Sequence, residues 1–481
     1  MRRKFVSNLI VLLALNFLIK PFYILGIEAE VQNRVGAEVY GSYFALISFS
    51  FLLNIILDMG ITNYNTRNIS RHQQLIGKHF TGIVSLRFLL FGVYSILLLG
   101  CGLMLGYSSY QLGILAILGL NQGLAAFIMY LRSNLTALHR FRADSLMSVL
   151  DRALLIAMMA VLLWGGVVGD RFHIEWFVYG QMISYGIAAI VGFGLVLWRT
   201  GFIKFRFDWP FMIVILRKSW PYALLVFLMM IYYRTDSVML ERLHPDGAFE
   251  AGVYAMGFRI FEAGNMIAYL FAILLLPIFS RMIKQNQNVR PLVSLSFKIL
   301  FSTSLVVAIA CFLFDEPLLL LRYHEHTAEA APVFGLLMIS FIGVCITYVF
   351  GTLLTSAGKL KSLNIIAATG MVLNVTLNLV LIPEWGALGC AAASCFTWGL
   401  VALSQLVLVR RIFAFPLSTR FLLSTSSFVC LCLLFGWVST IIEGTWMLRV
   451  GIVVAGGIVA SIGTGMLSIR PLLNLISQRS N

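Results

Sequence analysis

The chain has 481 residues, 60% of them hydrophobic and 11% charged, with a formal net charge of +15. Soluble domains carry roughly a quarter charged residues, so this composition excludes a water-soluble packing and makes lipid the solvent. The basic excess does not mark a nucleic-acid partner, because its distribution follows membrane topology.

The opening MRRKFVSNLIVLLALNFLIKPFYILG has a basic start and an apolar core, but no small-x-small cleavage site follows, and it reads as a retained first span. A hydrocarbon core of about 30 Å needs roughly 20 apolar residues per helix. Charged, Pro and Gly breaks divide the chain into fourteen such runs: 5–27, 40–62, 81–104, 111–135, 148–168, 174–198, 218–240, 252–280, 297–314, 331–355, 363–382, 386–409, 421–441 and 447–469. The expected fold is all-α and integral to the membrane. Two parallel six-helix bundles (residues 1–200 and 201–415) are followed by two further helices and a tail (416–481), with both termini cytoplasmic.

The positive-inside rule tests this division, since a missed or invented helix scrambles the alternation of loop charge. With the N-terminus inside, 26 of 35 Lys and Arg fall on the cytoplasmic side and five outside (Arg34, Arg171, Arg242, Arg322, Arg449). Fourteen acids fall outside and three inside. The basic excess is thus topology plus attraction to anionic lipid. Four basic residues (Lys20, Arg87, Arg234, Arg259) and three acids (Asp58, Asp236, Glu262) remain within spans. Such charges cost several kcal/mol each unless paired or hydrated, which makes them functional candidates. All seven cysteines lie in apolar runs without metal spacing, and His324 and His326 sit in an outer loop without further ligands; no metal or cofactor is expected.

The chain carries a weak internal repeat. Lys4 to Lys20 in span 1 parallels Lys218 to Arg234 in span 7, and GSYFALISF from Gly41 in span 2 aligns with GVYAMGFRI from Gly252 in span 8. An offset of six helices preserves orientation, as parallel repeats do.

Three segments carry a family resemblance. VGAEVYGSYFALISFSFLLNIILDMGITNYNTRNISR (35–71) resembles the second-span signature of Wzx-type oligosaccharide flippases. SWPYALLVFLMMIYYRTDSVML followed by AGVYAMGFRIFE resembles that family's seventh and eighth spans, and NVTLNLVLIPEWGALGCAAAS (374–394) its Asn-Leu, Ile-Pro, Gly-Ala motif. Cys390 departs from the small-residue run, and the last two spans carry no recognisable motif. The resemblance implies the fold of the multidrug/oligosaccharidyl-lipid/polysaccharide (MOP) superfamily, which also holds lipid II flippases and multidrug antiporters. It also implies a bacterial inner-membrane transporter, not an enzyme, that moves undecaprenyl-diphosphate-linked oligosaccharide outward beside polysaccharide polymerase and chain-length machinery.

A lipid-linked diphosphate needs a wet, cationic cavity. Arg259 and Glu262 are three apart on one helix face: Arg259 binds the pyrophosphate while Glu262 orients it or exchanges a proton, or the two form a structural ion pair. Lys20 and Arg234 lie about 24 Å along a helix from their basic anchors, placing each about 6 Å below the outer interface, where it faces the cavity or snorkels. Asp236 is two residues from Arg234 and needs a partner on another helix, Arg259 being the one to test. Asp58 fixes the turn before Gly60, meets an arginine, or couples an ion, while Arg87 joins the cytoplasmic set. Asn374 and Asn378, four apart, are interhelical hydrogen-bonding residues or ligands.

The expected mechanism is alternating access, with the lipid tail left in the bilayer. No Gly-x-x-x-x-Gly-Lys-Ser/Thr motif is present to bind ATP. Expelling two negative charges across about 100 mV releases roughly 4.6 kcal/mol, and coupling to H+ or Na+ stays open. A multidrug antiporter or lipid II-type flippase of the same fold is the alternative. A membrane glycan polymerase or ligase is disfavoured because the longest outer loop, 315–330, is short.

Overall fold

The computed structural model describes residues 16–62, 65, 76–138, 140–166, 172–200, 209–415 and 418–467. Arg2, Arg3 and Lys4, Arg171, residues 201–208 and the tail after 467 lie outside the described residues. The fold is all-helical, and among the described residues twelve helices are long and apolar enough to cross a membrane.

Two features separate this number from the fourteen expected runs. Span 1 begins outside the described residues, and spans 11 and 12 form one helical stretch, Leu360–Phe413, of 54 residues. A straight helix of that length would run about 80 Å, over twice a hydrocarbon core. It is interrupted at Gly386, whose φ of 50° and ψ of −129° are open to glycine and strained for other residues. That break falls at the first residue of the second predicted run, 386–409.

The chain separates into two compact units, Met1–Ala255 and Met256–Asn481. In the first, helix continues from Asn16 through a π-helical stretch, Tyr23–Glu28, and Ala29–Val35, ending at Gly36 with φ 82°. Span 1 therefore runs about eight residues beyond its expected end, and Glu28 and Gln32, expected in an outer loop, are buried. Its continuation packs beside Phe141–Trp164, and the two run parallel. Asn16 Nδ2 donates to Ser148 Oγ (2.9 Å) at one end, and Arg34 Nη2 donates to the Leu163 carbonyl (3.2 Å) at the other.

Ala37–Leu52 lies against Trp209–Leu243 and the opening turns of Gly247–Lys284. The contact depends on two glycines. A Cβ on Gly41 would sit 1.9 Å from the Ala248 carbonyl oxygen, and one on Gly252 would sit 2.0 Å from that of Ala37. These are the residues the internal repeat aligns, and they face each other. Gln32 Nε2 seals the contact by donating to the Gly252 carbonyl (2.8 Å). Elsewhere in this unit Ile61, Phe80, Ile83, Tyr130 and Leu131 anchor an apolar core, and a Ser108–Gln111 capping box starts Ser109–Ala137.

The second unit is organised around Thr327–Ser356, its most enclosed helix, held between Arg290–Leu313 and Leu360–Phe413. Small residues permit this: a Cβ on Gly343 would lie 2.8 Å from the Trp398 carbonyl oxygen. The run Ala387, Cys390, Ala391, Ala393 is buried, so Cys390 fills a small-residue position without disturbing the packing. Thr419–Ile441 and Trp446–Gly463, capped by Ser418 and Thr445, pair with each other and against Arg290–Leu313.

Candidate functional site

The intramembrane charges fall into separate groups, each built on two or more helices. Arg234, 6% exposed, holds its guanidinium 4.7 Å over the Phe51 ring and 5.2 Å from that of Tyr233. Desolvated cation–π contacts of this kind contribute up to about 2 kcal/mol and offset part of the burial. Half a turn on, Asp236 accepts a hydrogen bond from the Tyr254 hydroxyl (3.0 Å). The carboxylate thus has a partner on another helix, and that partner belongs to the Gly-x-Tyr of the repeat.

Asp58 closes a left-handed turn formed by Met59 (φ 45°) and Gly60 (φ 77°) and accepts from the Thr62 amide (3.2 Å) and hydroxyl. Arg87 lies within the helix Ile76–Met104. It is 6% exposed, pairs with Asp58 at 2.5 Å, and donates to the carbonyls of Leu57 (3.3 Å) and Ala126 (3.0 Å). This group ties three helices together. Truncating Arg87 to Ala leaves Asp58 without its cation, and the expected loss is about 3–5 kcal/mol. The variant should show a clear drop in the melting temperature and yield of detergent-purified protein, partly recovered in an R87M/D58L double variant.

Lys20 is half-buried on the first helical stretch. Arg34, at the far end of the same helix, is fourteen residues away, about 21 Å along the axis, beyond any lysine stem. Lys20 instead neighbours Arg152, Arg132 and Asp151 electrostatically. Arg152 lies within the helix Phe141–Trp164, its guanidinium 4.4 Å from the Tyr23 ring and 5.5 Å from that of Tyr185. Tyr23 donates to Glu28 (2.9 Å), and Gln181 donates to Tyr43 (3.0 Å) and Tyr23 (3.4 Å). Sequence reasoning missed Arg152 and Glu28, counting one as cytoplasmic and the other as an outer-loop acid. The adjacent Asp151–Arg152 pair four residues into a predicted span was the available signal.

At the end of span 7, Arg242 lies 3.9 Å from the Tyr107 ring, pairs with Glu241 (2.6 Å) and donates to the Leu105 carbonyl (3.2 Å). Burial, with Glu241 nearby, pushes the Tyr107 hydroxyl up to about 12.

In the second unit Arg259 Nη1 donates to Glu262 Oε2 at 2.8 Å, three residues apart on one helix face, with both side chains largely enclosed. Asn374 and Asn378 are fully buried, and Asn378 Nδ2 donates to Asn374 Oδ1 (3.3 Å).

The same unit contains a cavity of about 1180 Å³ between Arg290–Leu313, Thr327–Ser356, the second half of Leu360–Phe413 and Thr419–Ile441. Phe297, Phe301, Ile342, Ile346, Phe350, Leu403 and Leu406 line its length. Arg290, Lys298, Arg410 and Arg420 gather at one end, the end the charge rule assigns to the cytoplasm. An apolar channel with a cationic mouth suits an amphiphile with an anionic head.

The profile of the polysaccharide biosynthesis protein family matches residues 5–283, and that of the MatE family matches residues 221–380. An uncharacterized membrane protein of Methanocaldococcus jannaschii, MJ1375, is 26% identical over 239 residues, 46% of this chain and 55% of its own length; the match spans about half of that relative. Among solved structures, the lipid II flippase MurJ in an inward closed conformation is similar with a TM-score of 0.71 at 13% identity, covering 94% of this chain and 98% of the other. An inward-facing multidrug resistance MATE family transporter of the MOP superfamily is similar with a TM-score of 0.61 at 15% identity, covering 84% and 95%. With a family profile matching more than half of its length, the chain belongs to the polysaccharide biosynthesis protein family; its helices are those of a multi-pass membrane protein, and its fold is similar to that of these two solved structures.

Proposed function

We propose that this protein flips undecaprenyl-diphosphate-linked oligosaccharide from the inner to the outer leaflet of a bacterial cytoplasmic membrane by alternating access. The observation that carries the reading is the cavity of the second unit, apolar along its length and basic at its mouth. Its volume of about 1180 Å³ exceeds the roughly 300–1,000 Å³ of drug-sized pockets. The sequence alone leaves the isoprenoid tail in the bilayer; the cavity offers it a place inside the protein, with four cations where the phosphates enter.

Within the first unit Lys20 and buried Arg234, and within the second unit buried Arg259, are the cations proposed for the diphosphate, with Asn374 and Asn378 as polar residues of the second unit. Asp236, Glu262 and Asp58 are the acids available for H+ or Na+ coupling. The family match to polysaccharide biosynthesis proteins and the likeness to a lipid II flippase support a lipid-linked substrate. The MatE match keeps a multidrug antiporter as the second reading, and polymerase and chain-length proteins are the expected neighbours in the cell.

The test uses purified protein in liposomes containing fluorescently labelled undecaprenyl-diphosphate oligosaccharide and a membrane-impermeant quencher added outside. Flipping raises the quenched fraction well above the half reached by protein-free vesicles. No increase, together with proton- or sodium-driven movement of a cationic dye, would establish the antiporter instead.

A further inference from the structure

We propose that Glu241 and Arg242 form an electrostatic latch that docks the C-terminal end of span 7 on the turn between spans 3 and 4, closed in this structure and released as span 7 moves during transport. The cycle it serves rests on the flippase reading; the docking itself does not.

The latch is built on the facing ends of two helices. Ile76–Met104 stops in a Schellman turn: Gly106 has φ 74°, its amide donates to the Leu103 carbonyl (3.0 Å), and the Tyr107 amide donates to that of Gly102 (3.1 Å). The Leu105 carbonyl lies at the negative end of that helix dipole. Arg242 Nη1 donates to it (3.2 Å), with the guanidinium 3.9 Å from the Tyr107 ring. Ser108 then caps Ser109–Ala137, its amide donating to Gln111 Oε1 (3.0 Å) and its hydroxyl accepting from the Gln111 amide (3.3 Å). The Gln111 side chain, oriented by this box, donates from Nε2 to Glu241 Oε1 (3.2 Å), which sets the carboxylate at the positive end of span 4. Two neighbouring opposite charges on one helix thus meet the two opposite dipole ends of a hairpin, each in the favourable sense.

Span 7 also gives the latch something to respond to. Arg234 and Asp236, the cation and acid proposed for substrate and coupling ion, precede Arg242 on the same helix, Trp209–Leu243, by about 9–12 Å along its axis. A rigid helix carries a shift at those charges to its end. The contact there differs from that of Gly41 with Gly252, where backbone approaches backbone. Here long side chains do the joining, and the Arg242 side chain is 27% exposed, so water replaces its partners as it leaves. Charge contacts open to water are individually weak, which suits an element that opens and recloses in every cycle.

Charge order tests the docking. Exchanging the pair, Glu241→Arg with Arg242→Glu, puts each charge at the wrong dipole end. It is expected to lower the melting temperature of full-length protein by about 1–3 °C more than the neutral pair Glu241→Gln with Arg242→Met. An exchange no worse than the neutral pair would overturn the dipole match. Release is tested by bridging Tyr107→Cys to Arg242→Cys, and separately Gln111→Cys to Glu241→Cys, with a short bismethanethiosulfonate in a background whose native cysteines are replaced by alanine. Liposome flipping should slow at least tenfold on bridging and recover with dithiothreitol, while treated single-cysteine variants stay within about twofold of their untreated rate. Undiminished flipping by bridged protein of either pair would make the contact a static brace. Spin labels at Ser109→Cys and Pro245→Cys, outside the four contacts, should show two separations, with the longer more populated after Arg242→Met. One separation, unchanged by Arg242→Met, would also overturn the latch. The distances need no transport. A protein that flips nothing yet shows both separations removes the flippase reading and keeps the latch, whereas flipping through a bridged latch does the reverse.

Discussion

Arg259→Ala is expected to abolish appearance of the glycan on the cell surface while the protein stays inserted in the membrane. Two effects operate at once. The substitution removes a cation that is 5% exposed, the type of group able to hold a diphosphate in a low-dielectric site. It also leaves Glu262, 2.8 Å away, buried without that partner, which by itself costs about 3–5 kcal/mol. The comparison that separates them is the double variant R259M/E262M, since replacing a buried ion pair with apolar side chains of similar volume is often neutral for stability. A transport role gives wild-type abundance and melting temperature in the double variant with no surface glycan. A purely structural role restores export along with stability. Normal surface glycan in the single variant would remove Arg259 from the site altogether.

Substitution at the glycine contact should have the largest effect on folding. Gly252→Val places a Cβ 2.0 Å from the Ala37 carbonyl oxygen, and even Gly41→Ala meets the Ala248 oxygen at 1.9 Å, where the obstacles are backbone atoms. The helices must separate by more than an ångström. Overpacking of that kind costs about 1–3 kcal/mol, and the Gln32 to Gly252 hydrogen bond adds about 1 more when it breaks. The expected result is a loss of most folded, monodisperse protein on size-exclusion chromatography in detergent for Gly252→Val, and a lowered melting temperature for Gly41→Ala. Gly92→Ala and Gly100→Ala serve as controls, because an added Cβ there meets nothing within 4 Å and Ala favours helix by about 0.5–1 kcal/mol. Equal losses in the controls would show that the contact is not what makes Gly41 and Gly252 sensitive.

Much of the fold was legible because lipid imposes simple rules: runs of about 20 apolar residues become helices, and basic loops mark one side. What escaped depends on contacts between helices. Composition cannot tell that helix continues through GIEAEVQNRV, because Glu28 and Gln32 look like loop residues until Tyr23 and the Gly252 carbonyl receive them. Arg87 looked like a topology signal, and only the packing of three helices shows it buried on Asp58. Arg152 was assigned to a side for the same reason, whereas its environment is two tyrosine rings from two other helices. Arg259 and Glu262 were readable because a spacing of three already puts both on one face. The cavity of the second unit has no local signature, since its wall is assembled from residues of helices far apart in sequence.

The meeting of Gly41 and Gly252 has a consequence for how such a chain changes over generations. If the two helices descend from one duplicated segment, each glycine presses against the later copy of itself, and neither position drifts alone. A bulkier residue on one side needs a compensating retreat on the other, so the two positions should covary among relatives as a pair. Such covariation would record the duplication even where the flanking residues no longer align.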